Sequence, residues 1–275
     1  MTPACHDCVS APAVRSPAGV RCISTMICAG CSRNAGRVRS IFDNDLPTMN
    51  LSTAGYARLL LVVVLGALTT WSLKTHPIPV SELVRRLPRC IGGLACFGFG
   101  IALFFLADLG NPPWDVLHGG LAKKLDLPVG LVVNLVGLVV LVLWIPLRER
   151  VGLGTVLNTL EIGLVLDLTL EVLTKPTNLG LRFAFAGAGL VIIAVGSGLY
   201  IGSGLGAGPR DGVMMGLRRF KLSVRTSRTV IEVTTMAIGY LLGGRLGAGT
   251  VFFMICIGPL VQIALRHLSL PPLGE

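Results

Sequence analysis

Long apolar runs follow one another through most of this chain after residue 85, and they set its pattern. Four of them contain no charged residue: Cys90–Ala107, Leu127–Leu147, Phe183–Pro209 and Leu246–Leu265. Gly154–Val172 and Arg228–Gly243 continue the pattern but contain acidic residues. A helix of about 20 mostly apolar residues can cross a bilayer. One such run also fits a buried helix of a soluble protein, but six predict an all-α, polytopic membrane protein with six transmembrane helices.

Composition and charge agree with this interpretation. The chain is 52% hydrophobic and only 14% charged, whereas soluble domains are about 25% charged. Its net charge of +10 would suit nucleic acid, but the position of the basic residues matters more than their sum. Alternate connections between the predicted spans hold twelve basic residues on one side (Arg85, Arg86, Arg89, Arg148, Arg150, Arg210, Arg218, Arg219, Lys221, Arg225, Arg228 and Arg266) and five on the other (Lys123, Lys124, Lys175, Arg182 and Arg245). The asymmetry predicts that the N- and C-termini of the core lie in the cytoplasm, and it accounts for the positive charge without a nucleic-acid partner.

The N-terminal segment differs from this core. Residues 1–56 hold five of the eight cysteines and no sustained apolar period, and we expect a poorly ordered leader or a start of translation at Met49 or later. The spacing of Cys5, Cys8, Cys28 and Cys31 also fits a zinc ribbon, or a disulfide framework. Residues 57–84 are predicted to form a short apolar helix, interfacial or loosely attached, followed by a linker.

An internal repeat divides the predicted membrane core. The segment Leu109–Asp115 returns as Leu205–Asp211, and at nearly the same spacing Gly152–Val156 returns as Gly247–Val251. Further along, Ile162-Gly163 is matched by Ile257-Gly258. Several matches in register are hard to obtain by chance, so the core reads as two related halves, 85–174 and 182–268.

Each half is predicted to hold three spans. Because three is odd, the second half must enter the membrane in the opposite direction to the first. Two inverted three-helix repeats are the plan of many secondary transporters. The count of basic residues agrees, because it places the first motif outside the cell and the second inside.

The repeated motif has the form Leu-Gly-x-x-Pro-x-Asp. Its structural positions are Gly110 and Pro113 in the first copy and Gly206 and Pro209 in the second. A local explanation is available, because proline suits the first position of a helix and an aspartate two residues later lies near its positive end. The glycine spacing before the second copy (Ala194, Gly198, Gly202, Gly206) predicts close helix–helix approach.

A functional interpretation of the motif competes with the local one. Paired Gly/Pro breaks at corresponding positions of two repeats point to a transporter's binding site. Asp115 and Asp211 would then bind a cation or position a proton, with Trp114 and Arg210 lining the site. We treat the four side chains as candidate substrate or ion ligands.

Acidic residues inside the predicted spans are further candidates, because an ionisable group in a membrane is costly. Glu161 is a candidate proton-relay or cation ligand, and Asn158 shares its helix face. Glu232 follows Arg228 by one helical turn, so we expect an ion pair within the helix. No catalytic motif, cofactor-binding motif or clustered metal-ligand set occurs in the core sequence, and we expect neither an enzyme nor a resident cofactor or metal.

Several stretches resemble the YczE/YitT group of bacterial multi-pass membrane proteins. They are 107–118, 199–212, 228–233 and 241–244. The resemblance runs from about Arg85 to Leu268, and it implies a plasma-membrane protein of roughly six helices whose biochemical role is largely unassigned. Members usually begin close to the first span, so residues 1–80 depart from the group's pattern.

Small-solute transport is the leading functional hypothesis, with the lipid bilayer as surroundings and a small solute or coupling cation as ligand. The alternative is a membrane accessory or regulatory protein that acts through protein partners, which the sequence does not identify.

The inverted repeat predicts opposite sides for corresponding connections. Reporter domains fused after Lys124 and after Arg219 should report the outer and the cytoplasmic side, respectively, because an odd number of spans separates them. Reporter activity in intact cells measures this. Two reporters on the same side would contradict the inverted arrangement.

Overall fold

The computed structural model describes residues 51–75, 78–147, 149, 151–217 and 223–271. Residues 1–50, which include most of the predicted leader and the cysteines of the zinc-ribbon hypothesis, lie outside the described residues. The described residues form nine α-helices and no strand. The helices are α1 (Leu51–Thr75), α2 (Val80–Ala107), α3 (Pro113–Leu125), α4 (Val129–Leu147), α5 (Leu153–Val172), α6 (Leu179–Gly202), α7 (Pro209–Gly216), α8 (Val224–Leu241) and α9 (Ala248–Leu268).

Five helices in the described part of the chain are long and apolar enough to cross a membrane: α2, α4, α5, α6 and α9. The predicted membrane protein is confirmed at this level. The sixth predicted span, Arg228–Gly243, is helical as part of α8, but α8 contains Arg228 and Glu232 and is not among the five. Six crossings therefore stay a prediction.

The first helix, α1, is longer than predicted and docks on α5. Leu61 and Leu65 are almost fully buried against Val156 and neighbouring apolar residues. Near the other end of α5, the Arg58 guanidinium lies 2.7 Å from the carboxylate of Asp167. Asp167 and Val156 are separated by about 16 Å of helix at 1.5 Å per residue, so these contacts with α1 extend over about half of the length of α5. The position of α1 relative to the membrane stays a prediction.

Helices α2 and α6, which begin the two halves, pack against each other through glycines. A Cβ added at Gly93 would lie 2.8 Å from the carbonyl oxygen of Gly196, and one added at Gly100 would lie 2.8 Å from that of Gly189. In the repeat, Gly93 corresponds to Gly189 and Gly100 to Gly196. The contact of Gly93 with Gly196 is therefore the repeat equivalent of the contact of Gly100 with Gly189. Glycine permits this distance because it brings no side chain between the helices.

The C-terminal end of α6 also packs closely, as its glycine spacing predicts. A Cβ at Gly198 would lie 2.8 Å from the Cβ of Ala264 on α9, and one at Gly202 would lie 2.8 Å from the Cα of Ser269. The predicted close approach of helices along this stretch is confirmed.

The breaks after α2 and α6 bond to the opposite half. The amide of Gly249, in the first turn of α9, donates to the Leu109 carbonyl at 2.8 Å. The amide of Gly154, in the first turn of α5, donates to the Leu205 carbonyl at 2.9 Å. Each half thus supplies the carbonyl for one bond and the amide for the other.

Two arginines at corresponding positions of the repeat also each bind a carbonyl group of the opposite half. Arg86, near the start of α2, donates to the Ser203 carbonyl at 2.9 Å, at the end of α6. Arg182, near the start of α6, donates to the Ala107 carbonyl at 2.6 Å, at the end of α2. The last carbonyls of a helix have no partner within the helix, and a cation there also stabilises the negative end of the helix dipole.

The halves differ in how their last two long helices meet. In the first half, a Cβ at Gly163 would lie 2.0 Å from the Asn134 Oδ1 atom and 2.1 Å from the Gly130 carbonyl oxygen, so α4 and α5 touch. Gly258 corresponds to Gly163 on α9. In the described part of the chain, no atom of another element comes within 4 Å of the position that a Cβ at Gly258 would take. The surface of α5 around Gly163 is therefore closed, because α4 packs against it. The equivalent surface of α9 around Gly258 is open.

This difference predicts unequal effects of one substitution at two equivalent positions. Gly163→Ala should lower the free energy of unfolding by about 1–3 kcal/mol, because the added methyl group overlaps backbone that cannot rotate away. Gly258→Ala is the matched control and should be neutral or slightly stabilising. Denaturant unfolding of the purified proteins measures both. Equal losses at the two positions would contradict the difference in packing.

Candidate functional site

A cavity of about 300 Å³ lies among α2, α5, α6, α8, α9 and the two motif segments. Five of the six candidate ligands line it: Trp114, Asp115, Asn158, Arg210 and Asp211. Arg228 and Glu232, the predicted structural ion pair, line it as well. Apolar side chains from α2, α6 and α9 complete its wall. Residues separated widely in the sequence are thus brought together, and both copies of the repeated motif contribute.

The local geometry of each motif follows from its glycine and proline. Gly110 and Gly206 have φ angles of 111° and 134°, which strongly favour glycine, and they reverse the chain after α2 and α6. Pro113 and Pro209 are the first residues of α3 and α7. The proline ring suits this position because the N–H it lacks would have no partner within the helix. Both aspartates consequently lie in the first turn of a short helix, beside the cavity.

Asp115 is held by cationic and polar side chains of its own surroundings. Its Oδ1 atom lies 2.9 Å from the Nδ1 atom of His118 and 3.8 Å from the Arg210 guanidinium, and Asp115 and His118 are each 1% exposed. Burial lowers the pKa of His118, while the hydrogen bond to Asp115 acts in the opposite direction. A neutral imidazole that donates its Nδ1–H to the carboxylate fits this environment. The Arg210 guanidinium also stacks over Trp114, 5.0 Å from the ring centroid.

Asp211 has a different partner. Its Oδ2 atom accepts a hydrogen bond of 2.8 Å from the Tyr200 hydroxyl, which comes from the end of α6. Among the described residues, no basic side chain forms an ion pair with Asp211. The two aspartates of the repeat are therefore equivalent in the sequence but have unlike environments.

The predicted ion pair within α8 is confirmed. Arg228 Nε lies 2.8 Å from Glu232 Oε1, and the side chains are 48% and 21% exposed. Both line the cavity. Glu161, in contrast, does not line it, although Asn158 one turn earlier on α5 does. A functional role of Glu161 stays a prediction.

Sequence reasoning missed two contributors to the site. Tyr200 binds Asp211, and Trp144 of α4 donates its indole N–H to the Pro209 carbonyl at 2.9 Å, which fixes the start of α7. Neither residue belongs to a sequence motif that would mark it as part of a site. The indole N–H of Trp114 forms no hydrogen bond within the described residues, although the residue is only 8% exposed. In the described part of the chain, His, Cys, Asp and Glu side chains form no group of three that could hold a metal ion.

The apolar helices and the buried polar cavity are those of a multi-pass membrane protein. A family model described as a family of unknown function, DUF6198, matches residues 84–266. Because this match covers more than half of the chain, the protein belongs to that family. The match begins near the start of α2 and ends in α9, so it covers both halves of the repeat.

Curated relatives share the same region. An uncharacterised protein of Haemophilus influenzae is 40% identical over 180 residues, which are 65% of this chain and 83% of that protein. The uncharacterised membrane protein YczE of Bacillus subtilis is 32% identical over 188 residues, 67% of this chain and 87% of that protein. The predicted resemblance to a YczE-type family is confirmed. The protein YyaS of Bacillus subtilis is 27% identical over 184 residues. No solved structure matches the chain.

The unlike surroundings of the two aspartates predict unlike effects on stability. Asp115→Asn should lower the free energy of unfolding by about 3 kcal/mol, because it removes a buried charge that has cationic and polar partners. Asp211→Asn should cost about 1 kcal/mol, since the amide oxygen can still accept from Tyr200. Thermal or denaturant unfolding of the purified proteins compares them. A greater loss for Asp211→Asn than for Asp115→Asn would contradict these assignments.

Proposed function

We propose that this protein is a secondary transporter of a small solute in the bacterial plasma membrane. The observation that carries the proposal is the cavity whose wall includes both copies of the repeated motif. Discontinuous helices that meet at the interface of two repeats form the substrate sites of many transporters. The cavity volume lies at the lower end of the range typical of small-molecule sites.

The proposal includes two inverted three-helix repeats with six crossings. Two hydrogen bonds between the halves support it: the Gly249 amide donates to the Leu109 carbonyl, and the Gly154 amide donates to the Leu205 carbonyl. A two-fold axis between the halves would produce such a pair of equivalent bonds. The charges of α8 are compatible with a sixth crossing. Arg228 and Glu232 pair with each other and line the cavity, which is where charged residues of a transmembrane helix belong.

The two predicted membrane sides of the protein differ in a way that suits alternating access. On the predicted outer side, Asp108 binds Lys175, Arg182 and Arg245, which join the end of α2 to the second half and to the connection between the halves. On the predicted cytoplasmic side, Arg228 is half-exposed at the cavity wall. During transport, the open surface around Gly258 would become packed and the closed surface around Gly163 would become open. The conformation described is then the one open toward the cytoplasm.

Transport requires that cavity residues meet water from both sides of the membrane in turn. In a chain whose eight cysteines are replaced, Val261→Cys places a thiol in the cavity wall, and Val251→Cys places one on the exposed apolar face of the same helix. A water-soluble thiol reagent should label the cavity cysteine from either side of sealed, oriented vesicles. The control cysteine should react much more slowly, because it faces lipid.

The labelling pattern separates transport from the accessory role. Labelling of Val261→Cys from the cytoplasmic side alone, under all conditions, would favour an accessory protein with a fixed cavity. Labelling from neither side would contradict a water-filled cavity altogether. Mass spectrometry of the labelled protein gives the extent of modification for each variant.

A further inference from the structure

We propose that the cavity binds a small cation, or the cationic group of a small solute, in a cradle formed by Asp211, Tyr200 and Asn158 around Gly208. This inference rests on the proposed function, because it specifies the charge of the solute or coupling ion. It also gives the two repeated aspartates different roles, because Asp211 would bind the ligand and Asp115 would not.

The cradle is the part of the cavity wall around Gly208, where polar atoms of three side chains come together. A Cβ added at Gly208 would lie 2.9 Å from the Tyr200 hydroxyl oxygen, 3.2 Å from Asn158 Nδ2 and 3.3 Å from Asp211 Oδ2. Three polar atoms from α5, α6 and α7 thus converge on one point. Tyr200 donates its hydrogen to Asp211, so its oxygen can accept from a ligand. Asn158 can present its amide oxygen there after a rotation of the side chain.

The charges around the cavity indicate the sign of the ligand. Three carboxylates and two guanidinium groups line it. Glu232 pairs with Arg228, and Asp115 has His118 and Arg210 nearby. Within the described residues, only Asp211 has a neutral hydrogen-bond donor as its sole partner. A carboxylate at a partly buried site is stabilised by a counter-ion, so one positive charge complements this cavity.

The corresponding place in the other half is filled. Pro112 corresponds to Gly208, Phe104 to Tyr200 and Phe253 to Asn158. The two phenylalanine rings pack edge to face with centroids 5.4 Å apart. The place that the repeat relates to the cradle therefore has two phenylalanine rings and a proline ring in the positions of Asn158, Tyr200 and Gly208. The difference explains why only one of the two motif copies forms a cradle.

The wall beyond the cradle suits a partly apolar solute. Phe97 packs against the Tyr200 ring, with centroids 6.2 Å apart, and also lines the cavity. The Trp114 indole N–H has no partner within the described residues and offers a donor to an acceptor on the solute. An organic cation with a short carbon chain satisfies the cradle and this wall together, whereas an inorganic ion satisfies the cradle alone.

Thermal unfolding of the purified full chain tests the inference. The probes are n-butylammonium, butyrate and 1-butanol, which share a four-carbon chain but differ in charge, and sodium chloride serves as an inorganic arm. The buffer contains N-methyl-D-glucammonium as its other cation. We expect n-butylammonium to raise the melting temperature in a saturable manner, and butyrate and 1-butanol to have no effect. Stabilisation by sodium as well would identify the cradle as a general cation site, and stabilisation by sodium alone would assign it to an inorganic ion.

Two variants connect this binding to the cradle. Gly208→Ala places a methyl group 2.9 Å from the Tyr200 hydroxyl oxygen and so displaces the polar atoms of the cradle, while the backbone angles of φ −64° and ψ 158° themselves suit alanine. Asp211→Asn removes the charge. Each should raise the dissociation constant for n-butylammonium at least about tenfold, the loss expected for a charge-assisted hydrogen bond. Gly187→Ala is the matched control, because a Cβ there meets no atom of another element within 4 Å, and it should bind as the native chain does.

Three results would overturn the inference. They are stabilisation by butyrate but not by n-butylammonium, no stabilisation by either cation, and native affinity in both Gly208→Ala and Asp211→Asn. The first result would leave solute transport intact with an anionic substrate. Labelling of the cavity cysteine from one side only would reject transport even if the cation binds, so the two proposals fail separately.

Discussion

The close contact between each helix break and the opposite half is the constraint on which the rest of this structure depends. A Cβ at Gly247 would lie 2.3 Å from the Leu109 carbonyl oxygen, and one at Gly152 would lie 2.4 Å from that of Leu205. Only glycine allows the backbones to approach this closely and to form the two exchanged hydrogen bonds. Because the bonds determine where the chain reverses after α2 and α6, they also determine where α3 and α7 begin. The motif aspartates reach the cavity for that reason.

The charged residues at the ends of α2 and α6 belong to the same arrangement. Arg86 and Arg182 correspond in the repeat, and each caps the final carbonyls of the helix in the other half. Their neighbours have diverged, however. Asp108 gathers basic side chains after α2, whereas the equivalent residue after α6 is Gly204, with a φ angle of 69°. Corresponding positions of the two halves thus share a backbone arrangement but carry different charges.

Duplication supplied two copies of one motif, and substitutions around them produced two kinds of aspartate. His118 corresponds to Met214, so only Asp115 gains an imidazole donor on its own helix. Tyr200 corresponds to Phe104, so only Asp211 gains a phenol. These exchanges leave one carboxylate enclosed among charged and polar groups and the other beside open volume. The family to which the chain belongs is of unknown function, and this asymmetry is a concrete feature on which its members can be compared.

The sequence by itself determined the helical membrane class, the repeat and most of the charged and polar residues that line the cavity. Hydrophobic run length, helix-start chemistry at Pro113 and Pro209 and the spacing of Arg228 and Glu232 are local properties, and local properties can be derived from sequence. The number of spans in the second half stays a prediction, because α8 carries Arg228 and Glu232 within its apolar run and is not among the five long apolar helices. Only the tertiary structure decided which aspartate is enclosed, that Glu161 lies away from the cavity, and that Tyr200, Asn158 and Asp211 converge on Gly208. Those outcomes depend on distances between helices far apart in the chain, which no pattern along the sequence specifies.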